Sequence, residues 1–172
     1  MFAIFYEPFM AITVFVTGGT FDKEYNEISG ELYFKETHIR EILELGRAQI
    51  EVKIKKLMLV DSLNMANKDR RVVLENCVSA KDKKIVVTHG TDTMIKTAKF
   101  LAKEKLKKTI VLTGAMIPYK FGSSDGLFNL GSAFAFAQTL SNGVFIAMNG
   151  RLFDWDKVVK NKISGKFEEI IL

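Results

Sequence analysis

Apolar, β-branched runs recur along the chain, and each one is followed by glycine, threonine or aspartate. Runs of about four to eight such residues, bounded by turn residues, are typical of buried strands. This pattern predicts strands at residues 11–16, 84–88, 109–113 and 143–148. Residues 50–54 instead alternate apolar and polar side chains, and the apolar run continues to Val60, which predicts a further strand with one polar face.

Helical patterns separate the predicted strands. Thr37 is the expected N-cap of a first helix that ends at Gly46. Asn67 is the expected N-cap of a second helix, which continues through residue 78. A third helix follows residue 93, and its apolar stripe is Met94, Ala98 and Leu101. The last helix is predicted at 125–140.

Strands that are apolar throughout and alternate with helices indicate an α/β fold, with a mainly parallel sheet covered on both faces. Right-handed crossovers bring the loops that follow the strands to one edge of such a sheet, and ligands of open α/β folds bind there. We therefore expect distant loops to meet in one crevice. The residues concerned are Thr20, Ser62, Thr91, Asp92 and Ala115.

Length and composition fit one globular domain, and we assign the whole chain, 1–172, to it. Residues 1–10 are apolar but interrupted by Glu7 and Pro8, so we expect a loosely ordered or non-native extension rather than a signal peptide or membrane span. The chain has one cysteine, Cys77, which excludes an intramolecular disulfide and predicts a cytoplasmic protein. The net charge of +5 comes mostly from scattered lysines, which indicate solvated helix ends rather than a nucleic-acid surface.

The predicted loops carry few of the groups that bind cofactors. Neither a G-x-G-x-x-G motif nor a P-loop is present, and the two histidines, His38 and His89, form no spaced ligand set. We expect no cofactor and no metal, and a structural role for His89. The available nucleophiles are hydroxyl groups, which need an adjacent base such as a desolvated lysine. Asp92 could orient that lysine, bind a substrate ammonium group, or act as a helix N-cap.

Four segments together resemble the signature segments of bacterial-type L-asparaginases. They lie at residues 17–20, 87–94, 114–118 and 125–130, and their order and spacing match across nearly the whole chain. The resemblance implies a flavodoxin-like three-layer α/β sandwich that hydrolyses L-asparagine to L-aspartate and ammonia, with weak L-glutaminase activity. Separately, the apolar segments at 1–10 and 167–172 indicate surfaces that pack between subunits, so we expect a homo-oligomer.

The resemblance also implies roles for particular residues. Thr20 would be the usual candidate nucleophile and Tyr25 its activator, on a loop at 21–30 that closes over the substrate as a lid. Thr91, Asp92 and Lys160 would form a second catalytic cluster, and which threonine attacks stays open. Ser62 would hold the α-carboxylate of the substrate and Asp92 its α-ammonium group. The substrate-binding residues implied by the family are Gly19, Ser62, Gly90, Thr91, Asp92 and Ala115.

Two departures from the family pattern affect these expectations. Leu63 stands where some members carry a polar substrate-binding residue. Family members also continue into a second, smaller domain that supplies an acidic residue to a neighbouring subunit, and we expect that domain to be absent here. This departure motivates an alternative, a non-catalytic domain that binds asparagine or aspartate and regulates. A flavodoxin-like phosphate or flavin binder is a third interpretation.

Overall fold

A six-stranded sheet forms the centre of the structure, a computed structural model that describes residues 10–170. The predictions for residues 1–9 lie outside the described residues. In chain order the strands are β1 (Ile12–Gly18), β2 (Lys23–Asn26), β3 (Glu31–Phe34), β4 (Val52–Val60), β5 (Lys84–Thr88), β6 (Thr109–Thr113), β7 (Gly143–Met148), β8 (Arg151–Asp154), β9 (Val158–Lys160) and β10 (Phe167–Glu169). The helices are α1 (Ile39–Leu45), α2 (Asn67–Ser79), α3 (Met94–Ala102) and α4 (Gly126–Thr139).

The strand order in this sheet is β4-β1-β5-β6-β7-β8. The first five strands are parallel, and β8 is antiparallel to β7. Strands β2 and β3 form a separate hairpin, and so do β9 and β10. The prediction of an α/β fold with a mainly parallel sheet is therefore confirmed.

Two apolar cores, one on each face of the sheet, make the structure three-layered. On one face Ile85 and Val87 of β5 pack with Cys77 of α2 and Leu101 of α3. On the other face the intervening residue, Val86, packs against side chains of α1 and α4. This division follows from the period of two in a strand, because successive side chains point to opposite faces.

The predicted helices are present, but two predicted N-caps are wrong. Helix α1 begins at Ile39 with His38 as its N-cap, one position after Thr37; the Thr37 hydroxyl donates to the Asp22 carboxylate at 2.9 Å and accepts from the Ile39 backbone N–H only at 3.5 Å. Asn67 is the first residue of α2 rather than its N-cap. The helix start is closed by Asp69, whose carboxylate accepts a hydrogen bond of 2.7 Å from the Ala66 backbone N–H. The predicted stripe of α3 is confirmed, since all three of its residues are fully buried.

The two hairpins and β8 were not predicted from the sequence. The predicted loop at 21–30 contains β2 and the turn of the β2–β3 hairpin. The Asn26 side-chain oxygen closes that turn by accepting from the backbone N–H of Ile28 (2.9 Å) and of Ser29 (3.2 Å). Gly30 supplies the left-handed backbone, with φ of 73°.

No helix in the range 10–170 is long and apolar enough to cross a membrane.

Candidate active site

The loops after β1, β4, β5 and β6 meet at the carboxyl edge of the sheet, as predicted. They approach so closely that their contacts involve backbone atoms. A Cβ atom added to Gly19 would lie 2.3 Å from the Gly90 nitrogen, and one added to Gly114 would lie 2.3 Å from the His89 carbonyl oxygen. A Cβ at Gly90 would lie 2.6 Å from both Cβ and Oγ of Ser62. Glycine is therefore required where these loops touch.

Thr91, Asp92 and Lys160 form a hydrogen-bonded cluster at this edge. Lys160 Nζ donates to Thr91 Oγ1 at 2.8 Å and to Asp92 Oδ1 at 2.6 Å. Thr91 is buried, and only 14% of the Lys160 side chain is exposed, against 49% for Asp92. Lys160 and Thr91 are 69 positions apart in the sequence, so the cluster joins two distant segments of the chain. Lys160 therefore binds both the buried Thr91 hydroxyl and the Asp92 carboxylate, and the carboxylate also faces solvent.

The β9–β10 hairpin positions Lys160. Val158 lies on the same strand face as Lys160, because residues two apart in a strand point the same way. Val158 is buried in the core that contains Ile85 and Val87, called here the main core. Phe167, which pairs directly with Lys160 across the hairpin, is buried in the same core. The turn is closed by the Asn161 side-chain oxygen, which accepts from the backbone N–H of Ile163 at 2.9 Å. Lys160 is thus held by local pairing and by two apolar anchors.

Ser62 lies buried beside this cluster, and its hydroxyl oxygen has no hydrogen-bond partner among residues 10–170. Its carbonyl oxygen accepts from Thr93 Oγ1 at 2.8 Å, and Thr93 in turn accepts from the Arg70 guanidinium at 3.1 Å. Arg70 is 1% exposed, and its burial holds the pKa of the guanidinium below its usual range. We did not single out Arg70 or Thr93 from the sequence, because an arginine on a helix is ordinarily exposed.

His89 has a structural role in the same loops, as predicted. It is fully buried, and this lowers the pKa of its imidazole to about 4, so the ring is neutral near neutral pH. Nδ1 lies 2.8 Å from the Gly90 carbonyl oxygen and Nε2 lies 2.8 Å from Thr97 Oγ1. The neutral ring therefore has a partner for each nitrogen, and it fixes the backbone that precedes Thr91.

Thr20 and Tyr25 do not form a hydrogen-bonded pair like that of Thr91 and Lys160. Thr20 is half-buried and begins a 3-10 turn, Thr20–Asp22, directly after Gly19. Tyr25 lies on β2 and is 56% exposed. Within the described range no hydrogen bond joins their side chains, so this pair lacks the contact that joins Lys160 to Thr91.

Asp22, at the end of the Thr20–Asp22 turn, is fully buried and is a residue that we did not predict to matter. Its Oδ1 accepts from the Thr37 hydroxyl at 2.9 Å and from the His38 backbone N–H at 3.3 Å, while Oδ2 lacks a partner in the part of the chain described. Burial, the largest effect, raises the pKa of Asp22 from 3.8 to about 6, and the two hydrogen bonds oppose it.

Asp125 and Asn129 organise the loop that contains Ala115. The Asp125 carboxylate accepts from the backbone N–H of Met116 at 2.9 Å and of Ile117 at 3.1 Å. The buried Asn129 side chain donates to the Gly114 carbonyl oxygen at 2.8 Å. The motif at 125–130 marked this helix start but did not reveal that it shapes the preceding loop.

Within residues 10–170, no three His, Cys, Asp or Glu side chains lie together in a group that could hold a metal ion.

Comparison with known proteins shows the family to which the chain belongs. The family model described as Asparaginase, N-terminal, matches residues 11–166. This chain belongs to the asparaginase family. It is 33% identical to the probable periplasmic L-asparaginase of Haemophilus influenzae, over 87% of this chain and 46% of that protein.

Solved structures of the family share the fold. The thermostable L-asparaginase of Thermococcus kodakarensis superposes with a TM-score of 0.81 at 25% identity, over 93% of this chain and 51% of the other. The probable cytoplasmic L-asparaginase of Campylobacter jejuni superposes with a TM-score of 0.74 at 28% identity, over 87% of this chain and 49% of the other. The chain therefore spans about half the length of the relatives it matches.

Proposed function

We propose that this asparaginase-family chain hydrolyses the side-chain amide of L-asparagine to L-aspartate and ammonia. The observation that carries the proposal is the position of Lys160, which is hydrogen-bonded to both Thr91 and Asp92. A protein that only binds asparagine has no need for a largely buried lysine beside a threonine hydroxyl. A nucleophilic hydroxyl does need such a neighbour, because a base must take its proton as it attacks.

Substrate recognition would use the groups around this cluster. The solvent-facing carboxylate of Asp92 is the proposed partner of the α-ammonium group, and the buried Ser62 hydroxyl, which has no protein partner in the described range, is the proposed donor to the α-carboxylate. The backbone of Ala115, with that of Gly19 and Gly90, would line the rest of the site. These glycines allow the main chain to approach a ligand as closely as the loops approach each other.

In the proposed reaction Lys160 acts as a neutral amine, and the proton of Thr91 passes to Lys160 Nζ as Thr91 Oγ1 attacks the amide carbon. Backbone N–H groups of the glycine-containing loops would stabilise the oxyanion, and one such donor is typically worth roughly 10²–10³ in rate. Lys160 gives this proton to the amide nitrogen as the C–N bond breaks, so ammonia leaves and an acyl-enzyme ester forms on Thr91. Water then hydrolyses this ester, releasing L-aspartate and restoring the Thr91 hydroxyl. Thr20, activated by Tyr25, is the other candidate nucleophile. For that pair the segment at 21–30 would have to close over the substrate as a lid.

Further properties follow the same proposal. We propose weak L-glutaminase activity, a single catalytic domain over residues 1–172, a homo-oligomeric state and a cytoplasmic location. The buried, unpaired Cys77 supports a reducing compartment. The names of the relatives are divided on location, since one is called periplasmic and another cytoplasmic.

The test is release of ammonia and L-aspartate from L-asparagine, with L-glutamine in parallel. We expect the parent to be active and Lys160→Met and Thr91→Val to lose about 10²-fold or more in kcat, because base and nucleophile act as a unit. Lys157→Met is the matched control, since Lys157 lies three positions earlier with 56% of its side chain exposed, and it should retain full activity. Thr20→Ala tests the other nucleophile. Full activity in a folded Lys160→Met variant would refute the proposed role of Lys160.

A further inference from the structure

Arg70 is a buried cation that the proposed reaction does not use. It lies on α2 with 1% of its surface exposed. Its hydrogen-bond acceptors within residues 10–170 are all uncharged: the Met65 carbonyl oxygen (2.9 Å), Thr93 Oγ1 (3.1 Å) and Thr97 Oγ1 (3.1 Å). The adjacent carboxylate, Asp69, accepts from the Ala66 backbone N–H and forms no salt bridge with Arg70, although its charge partly opposes the effect of burial on the pKa of the guanidinium.

A buried charge without an opposite charge is costly, because desolvation is not repaid by Coulomb attraction. Neutral acceptors satisfy the N–H groups of Arg70 but do not balance its charge. The positive potential of the guanidinium therefore extends to whatever lies next to these acceptors, weakly screened by the low-dielectric interior.

Ser62 lies next to them. Two hydrogen bonds connect Arg70 to Ser62, one to Thr93 Oγ1 (3.1 Å) and one from Thr93 to the Ser62 carbonyl oxygen (2.8 Å). The Ser62 hydroxyl oxygen is buried and has no partner in the described part of the chain. Buried polar atoms in proteins are nearly always hydrogen-bonded, so this hydroxyl is free to donate to a bound ligand. The ligand has to fit beside Gly90, whose Cα borders Ser62.

We propose that Arg70 is a specificity-determining residue, whose charge, hydrogen-bonded only to neutral acceptors, makes the niche at Ser62 selective for the α-carboxylate of the substrate over a neutral group. The inference rests on the proposed function and adds to it the source of the charge preference. Arg70 acts through Thr93 and through its electrostatic field, so it is a positioning residue that need not touch the substrate. Loss of its charge should affect ligands that bear an α-carboxylate and spare those that do not.

Two ligands differ only in that group. L-Aspartate has an α-carboxylate, and L-isoasparagine has an α-carboxamide in its place with the same ammonium group and side chain. We would measure the Kd of both by calorimetry for the parent, Arg70→Met, Arg70→Lys and Lys108→Met. Lys108 is the matched control, because its ammonium group also bonds only to neutral acceptors in the described range, the carbonyl oxygens of Cys77, Val78 and Ala80 near the far end of α2.

The parent should bind L-aspartate about 10- to 100-fold more tightly than L-isoasparagine, as expected for a charge several ångströms away at intermediate dielectric. Arg70→Met should weaken the binding of L-aspartate alone, so that its Kd becomes close to that of L-isoasparagine. Arg70→Lys and Lys108→Met should preserve the ratio within about fivefold. A folded Arg70→Met variant with the parent's ratio would overturn the inference.

Ammonia release by the parent separates the two proposals. If the parent hydrolyses L-asparagine but Arg70→Met leaves the ratio unchanged, the role of Arg70 is wrong and the proposed function stands. If the parent binds L-aspartate without hydrolysis and the ratio collapses in Arg70→Met, hydrolysis is wrong and the role of Arg70 stands. If the parent binds neither ligand, the role of Arg70 is wrong, and the proposed function is wrong as well if no ammonia is released. Should Arg70→Met fail to fold, equal binding of the two ligands by the parent, or a collapsed ratio in Arg70→Lys, would still overturn the inference.

Discussion

Asp22 should make the protein less stable near neutral pH than in mild acid. Burial raises the pKa of its carboxyl group from 3.8 to about 6, so between these values the folded state keeps a proton that the unfolded state has lost. The folded state binds more protons in this window, and stability therefore falls as pH rises through it. At about 1.4 kcal/mol per pKa unit, the loss above the window is at most about 3 kcal/mol.

The substitution Asp22→Asn isolates this effect. An asparagine keeps the oxygen that accepts from the Thr37 hydroxyl and the His38 backbone N–H, and it leaves the second side-chain atom without a partner, as Asp22 does. The difference is the charge. We expect the variant to be more stable than the parent by up to about 3 kcal/mol at pH 7.5 and nearly equal to it at pH 4.

Urea unfolding of parent and variant at pH 4, 5.5 and 7.5 measures the difference directly. Comparing the two proteins at each pH cancels the contribution of every other titrating group. Asp154→Asn is the control, because Asp154 is exposed and pairs with Lys157 at the surface at 3.4 Å, so its effect should stay within about 0.5 kcal/mol at all three values. A variant that is less stable than the parent at pH 7.5, or a difference independent of pH, would refute the reasoning.

Two further substitutions test the loops of the site. In Asn129→Asp, a carboxylate oxygen takes the place of the buried amide NH2 group, which donates to the Gly114 carbonyl oxygen and to the Asp125 carboxylate. Urea unfolding should therefore show a decrease of about 2–5 kcal/mol in the free energy of unfolding. The exposed change Asn142→Asp should be nearly neutral, and a similar result for both would contradict the role of Asn129. Gly90→Ala places a Cβ atom 2.6 Å from the Ser62 side chain, so stability should fall by about 1–3 kcal/mol and ammonia release should drop. Gly131→Ala, on α4 with no atom within 4 Å of the added Cβ, should be neutral or stabilising, and equal effects of the two glycine changes would count against the close-contact argument.

The sequence predicted best those elements whose residues determine their own environment. Strands β5, β6 and β7 have the predicted bounds, because fully buried parallel strands are continuous apolar runs. The β2–β3 and β9–β10 hairpins were missed because their strands are only three or four residues long, too short to show a clear period of two. Side-chain contacts within their turns close them, and a search for apolar periodicity does not detect such contacts.

The site shows the same division. Thr91 and Asp92 are adjacent in one motif, so the sequence alone placed them together. Lys160 came from the family resemblance, because nothing in its own segment distinguishes it from an exposed lysine. Arg70 was missed because the residues that bind it lie elsewhere in the chain. Thr93 is 23 positions and Thr97 is 27 positions further along the sequence. Which helix position faces a neighbouring loop depends on how α2 packs, and that is a tertiary property.

The two proposed proton acceptors, Lys160 and Tyr25, lie on hairpins outside the six-stranded sheet, whereas both candidate nucleophiles follow strands within it. The hairpins differ in how they are anchored. The β9–β10 hairpin contributes two buried side chains to the main core, while the β2–β3 hairpin exposes 56% of Tyr25 and 47% of Leu32. Segments with few buried apolar contacts open at low free-energy cost. The Lys160–Thr91 pair is already hydrogen-bonded in the structure, whereas we expect the Tyr25–Thr20 pair to form only when its hairpin moves. For this reason Lys160→Met should impair the chemical step itself, whereas changes in the β2–β3 hairpin should act on closure.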